Sequence, residues 1–170
     1  LLWGHNFVND QVHTQLAAQK IIFPPAGSEA IKSLPAADAQ AMTTYAGQLM
    51  TNGAQAQTYA DHFIAVHLRE IGGGKTYSQL ATASLAQPKN AALAAQVQTV
   101  FRGETLRGLL LNAYGWWQMA QIMLIGAIVA FIAAAVLLIL SLFGIAHRRH
   151  VPAEDEVFSG RTARKPAPAL

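Results

Sequence analysis

Two different spacings of apolar residues divide this chain. From Gly108 to Ala146 no side chain carries a charge, and the stretch Ile122 to Ala146 also lacks proline. An α-helix needs about 20 apolar residues to cross a hydrocarbon core ~30 Å thick, so this stretch predicts a membrane-spanning helix. Before it, apolar residues recur every three or four positions, the period of amphipathic helices. Phe7, Val8, Val12 and Leu16 predict a helix over His5–Lys20. Pro24 and Pro25 then force an extended path. A helix over Ala36–Thr51 would place Met42, Tyr45, Ala46 and Leu49 on one face, and Asn52-Gly53 would break it. The next, Ala54–Ile71, would bury Tyr59, Phe63, Val66 and Ile71 and stop at Gly72-Gly73-Gly74, the first of which can take the left-handed cap conformation. A short helix over Thr76–Ala86 ends at Gln87-Pro88. The last starts at Lys89 or Asn90, carries Leu93, Val97, Val100 and Phe101, and runs into the span without a proline. Ile21-Ile22-Phe23 is the one short strand-like run.

The fold class expected is therefore an all-α membrane protein, with a helical extracytoplasmic domain between two transmembrane helices. Leu1-Leu2-Trp3 reads as the outer end of a first span, truncated or absent from this chain. The expected organisation is residues 1–4 as that outer end, 5–112 as the extracytoplasmic helical domain, 113–147 as the transmembrane helix and 148–170 as a basic cytoplasmic tail. Charge sets the orientation. The stretch before Gly108 has seven Lys/Arg against six Asp/Glu, whereas Arg148, Arg149, Arg161, Arg164 and Lys165 gather after the span. Cations flanking a span mark its cytoplasmic side, so Arg148 and Arg149 read as a cytoplasmic anchor in the plasma (inner) membrane, with the ectodomain outside. Tyr114, Trp116 and Trp117 fall at the other end, where amphipathic rings form an outer interfacial belt. The alternative for these rings is a stacking platform for a quinone or a lipid.

Composition narrows the chemistry. Charged residues make up 12% of the chain, about half the soluble average of ~25%, as a lipid-embedded segment requires. The absence of cysteine excludes disulfides, thiolate metal sites and cysteine nucleophiles. Gly72 to Thr76, GGGKT, lacks the first glycine of a phosphate loop, because Arg69 stands there. It reads as a helix stop. His5, His13, His62 and His67 lack the i, i+4 spacing of paired metal ligands, and they read as surface or partner-facing polar residues. No serine or carboxylate set has catalytic spacing. No catalytic, cofactor-binding or metal residues are assigned, the chain is expected not to be an enzyme, and five cations beside a membrane give no reason to invoke nucleic acid. Within the span, Gly126, Ala130 and Ala134 form a small-residue stripe of the kind that lets helices approach closely. The span lacks the ionisable groups that transport usually needs.

Several short elements carry a resemblance. They are Trp3, Gly4 and Leu16, the Ile22-Phe23-Pro24 turn, Tyr59-Ala60 with Phe63, the segment from His67 to Leu80 containing GGGKTYSQL, and LRGLLLNAYGWW from Leu106 to Trp117. In these the chain resembles a family of small actinobacterial membrane proteins with two transmembrane helices flanking an extracytoplasmic helical loop. Its members often carry the name "aromatic ring-opening dioxygenase", although no ligand set for a non-haem iron is visible. Proteins of this type resemble accessory subunits of respiratory reductase–oxidase supercomplexes. The expected function is a non-catalytic accessory or structural subunit of a larger bacterial membrane complex, packed through Gly126, Ala130 and Ala134 against integral subunits and lipid. The alternative is an extracytoplasmic sensor or ligand-binding module anchored in the membrane.

Overall fold

A computed structural model describes residues 1–150. Among them the regular secondary structure is helical apart from one isolated antiparallel bridge, Ile22 to Leu49, and turns or extended segments join the helices. The helices are α1 (Leu2–Ala18), α2 (Glu29–Lys32), α3 (Ala36–Thr43), α4 (Gly53–Tyr59), α5 (Ala65–Ile71), α6 (Tyr77–Ala86) and α7 (Ala91–His150). A π-helical turn, Ala60–Ile64, joins α4 to α5 without a break. The described residues divide into two units, 1–125 and 126–150. Arg161, Arg164 and Lys165, expected in the cytoplasmic tail, lie outside the described residues.

In the first unit a single apolar core gathers α1 through Val12 and Leu16, the α2–α3 region through Ile31, Leu34 and Met42, and α4–α5 through Ala56, Ile64, Val66 and Leu68. Leu110 of α7 joins the same core, with Trp117 packed on its edge. Its centre is Phe23, fully buried between Tyr45 and Tyr59, with ring centroids 5.4 and 5.3 Å away. The extended segment beside the two prolines therefore contributes a fully buried ring to the core, although Ile22 next to it is exposed. Its backbone is held by Met50 N–H donating to the Ile21 carbonyl and Phe23 N–H donating to the Gln48 carbonyl.

That pairing shortens the helix expected over Ala36–Thr51, which ends at Thr43. Thr43 and Thr44 turn their hydroxyls onto the carbonyls of Ala39 and Gln40, and Gly47 takes a left-handed φ of 71°. Leu49 thereby leaves the expected helix face for the bridge and is 40% exposed, whereas Met50 is fully buried. Phe7, Ile71 and Phe101, which fit the helical pattern, are also largely exposed.

The stops and starts have local causes. Asn52 and Gln55 form a reciprocal capping box at the start of α4, as Thr76 and Gln79 do for α6. Gln55 is buried, but it accepts from Thr51 N–H and Asn52 N–H and donates to Gln48, so its amide is satisfied. At the triple glycine, Gly73 N–H donates to Glu70 and Gly74 N–H to Arg69, the Schellman pattern. The left-handed residues are the second and third glycines, with φ of 58° and 77°. Gly72 stays helical, and its need is close approach: a Cβ there would meet the Lys75 carbonyl oxygen at 2.6 Å.

The second unit contains the C-terminal part of α7. Every residue from Ile128 to His150 is exposed, including large side chains such as Phe131, Leu137 and Phe143 at 63–70%. Ser141, the hydroxyl within this stretch, returns its proton to the Leu137 carbonyl and so leaves no donor unmet. Among the described residues α7 is the one helix long and apolar enough to cross a membrane. Its apolar run of about 25 residues spans roughly 37 Å at ~1.5 Å per residue, more than the ~30 Å hydrocarbon core.

Candidate functional site

The N-terminal half of α7 is the spine on which the small helices are laid. Gly103 lets Leu68 of α5 lie directly on the helix, since a Cβ there would sit 2.3 Å from the leucine Cδ2. Gln96 donates to the Ile71 carbonyl at the end of α5, and Tyr77 of α6 rests on Phe101. Lower down, the start of α4 meets Trp117 so closely that a Cβ on Gly53 would come within 2.4 Å of the tryptophan Cβ.

Between α4 and α5 the π-helical turn spreads neighbouring side chains in two directions. Asp61 accepts from Arg107 of α7 at 2.9 Å, while His62 Nδ1 donates to Asp38 of α3 at 2.7 Å. The wide turn thus ties the middle of the domain to α7 on one side and to α3 on the other. Two further imidazoles serve inside the fold. His5 Nδ1 donates to the Ala120 carbonyl at 2.8 Å, and His67 Nδ1 donates to Phe63 one turn back. The sequence reading of these histidines as surface groups is corrected for His5, His62 and His67, each half-buried and bonded. Their partners are distant in sequence or depend on rotamer, so spacing alone carries no signal of them. Among the described residues no three His, Asp or Glu side chains gather as metal ligands would.

Burial drives the Tyr59 hydroxyl above its ordinary value near 10. The folded state therefore holds this proton more tightly than the unfolded chain does. The corresponding stability is fully present below about pH 10 and is lost as pH rises through the folded value. The melting temperature of the full chain should fall more steeply above about pH 10 than that of Tyr59→Phe, whose curve lacks this contribution. Parallel curves would show that the hydroxyl is solvated.

The residues singled out on α7 separate into distinct environments. Trp117 is half-buried against Gly53, and Tyr114 stacks beside it with centroids 6.2 Å apart. Trp116 is 58% exposed on another face and lines a groove between α1 and α7. Gly126 is partly covered, and Ala130 and Ala134 are open. Arg149 is exposed at the end of α7 beside Arg148. α1 runs antiparallel to α7: Gly4 lies against Met123, whose sulfur a Cβ would approach to 3.1 Å, while His5 reaches Ala120. The sequence had no means of announcing this pairing. Compared with known protein families, curated proteins and solved structures, the chain matches none.

Proposed function

We propose that the protein is a non-catalytic accessory subunit of a larger membrane complex. In this reading α7 anchors it, Gly126, Ala130 and Ala134 face another transmembrane helix, and the helical domain covers an extracytoplasmic partner. The tail beginning at Arg148 and Arg149 faces the cytoplasm. The observation that carries the reading is the surface of α7 itself. From Ile128 to Ala146 it offers only apolar side chains and Ser141, all exposed, without an ionisable group that could serve transport. Lipid can solvate the bulky side chains, while a small-residue stripe offers little to lipid and much to a close-packed helix. The pairing of Gly4 with Met123 supports placing Leu1-Leu2-Trp3 at the depth where α7 becomes apolar, the arrangement expected of a hairpin with its bulk outside. A respiratory reductase–oxidase assembly in an actinobacterial plasma membrane is the setting implied by the resemblance described above.

Gentle-detergent purification of the chain from its native membrane, followed by mass spectrometry, tests the proposal. An integral membrane subunit should co-purify in fixed ratio, and Ala130→Leu with Ala134→Leu should lower its recovery by about tenfold, equivalent to ~1.4 kcal/mol. Reproducible recovery as a monomer would refute it.

A further inference from the structure

The groove between α1 and α7 has a volume near 600 Å³, within the ~300–1,000 Å³ of small-molecule sites. It lies wholly within the first unit. Its floor is apolar, built from the buried Val12, Leu16 and Leu110. Leu109 and Trp116, both more than half exposed, form the α7 wall. The polar lining is of one chemical kind. Gln11, Gln15 and Gln19 stand at four-residue intervals along α1, and Asn112 joins them from α7. Residues four apart share a helix face, so the three glutamines form a ladder of carboxamides. None of these four side chains makes a hydrogen bond within the described residues, and no charged side chain lines the groove.

These features define the occupant. A carboxamide both donates and accepts but carries no charge, so it matches hydroxyl and carbonyl groups. A phosphate would find no cation in the lining to offset its desolvation. From Leu106 to Trp116 the groove runs roughly 15 Å along α7 at ~1.5 Å per residue. A single hydrocarbon chain is slender enough to enter. Trp116 precedes the apolar run at Ile122 by six residues, about 9 Å of helix, which places the groove's lower end within reach of the bilayer surface.

We propose that this groove binds the long chain of a neutral membrane lipid, with a hydroxyl- or carbonyl-bearing head hydrogen-bonded to one or two of the carboxamides offered by Gln11, Gln15, Gln19 and Asn112. The inference rests on α7 crossing the membrane, because that crossing brings the groove to its ligand.

The test uses the full chain in phosphatidylcholine vesicles with a diazirine-bearing monoacylglycerol as probe, and with the same chain on phosphatidylglycerol as the anionic counterpart. Flotation of the protein with the vesicles checks membrane insertion separately, so a floating but unlabelled protein defeats the groove alone. The monoacylglycerol should label peptides from residues 7–21 and 106–116, and unlabelled monoacylglycerol should compete. Gln15→Glu, which charges the ladder, and Leu109→Trp, which fills the groove, should each cut labelling about tenfold. Leu85→Trp, on the exposed face of α6, should leave it unchanged. Both test positions are exposed, and competition in the parent chain decides the matter even if a variant misfolds. Labelling confined to residues after Ile122, equal labelling by the anionic probe, or cross-links between two copies would each overturn the proposal.

Discussion

Phe23→Ala is expected to remove about 3–5 kcal/mol of stability, the range for deleting a fully buried aromatic ring. Phe23 is inaccessible to solvent and meets Tyr59 edge-on at 86° and Tyr45 at 56°, contacts worth about 0.5–1.5 kcal/mol each beyond their buried area. The position is hard to relax around. Phe23 N–H donates to Gln48, and its carbonyl accepts from Gly47 N–H, so the backbone that carries the cavity is itself fixed. For a domain with about 5–15 kcal/mol in total, the midpoint should fall by roughly 10–25 °C. Tryptophan fluorescence during thermal unfolding in detergent measures this, because Trp117 packs on the same core. Phe7→Ala is the contrast: Phe7 is 52% exposed, with Trp3 stacked beside it, and its loss should cost less than about 1 kcal/mol. Equal losses would mean that Phe23 is not the centre of the core.

Gly53→Ala and Gly108→Ala should move stability in opposite directions. Both glycines are helical, where alanine gains roughly 0.5–1 kcal/mol over glycine. At Gly108 an added Cβ meets nothing within 4 Å, so the full gain should appear as a raised melting temperature. At Gly53 the new atom would come within 2.4 Å of the Trp117 Cβ and 2.6 Å of its Cγ. A Cβ is bonded directly to the backbone and cannot swing away, so α4 or α7 must move. Overpacking of this kind costs about 1–3 kcal/mol, which outweighs the propensity gain. A rise in the melting temperature of Gly53→Ala would show that α4 and α7 are not in close contact.

Much of the architecture was legible because its causes are local. Pro88 and Asn90 bound α6 and α7, the Asn52–Gln55 and Thr76–Gln79 pairs cap their helices, and the triple glycine ends α5. The exceptions have long-range causes. The helix expected through Thr51 stops at Thr43 because the following residues pair with Ile21 and Phe23. A period of three to four cannot separate Met42, which is buried, from Phe101, which is not, since each lies on an equally regular face. Of the candidate site, the stripe Gly126, Ala130 and Ala134 was visible as small residues at spacing four. The glutamines of α1 were visible only as ordinary polar positions, and their meaning comes from Leu109 and Trp116 standing opposite.

The amino-acid sequence by itself determined that this is a helical protein with one apolar segment long enough for a bilayer, flanked by aromatic residues on one side and arginines on the other. Hydrophobic run length and charge depend on neighbours along the chain, so no fold is needed to read them. Only the tertiary structure decided that Phe23 is the centre of the core, that Asp61 binds α7 while His62 binds α3, and that α1 lies antiparallel on α7 with a neutral groove between them. Those outcomes depend on which surfaces can be buried together, a competition among residues as much as 115 positions apart, as His5 and Ala120 are.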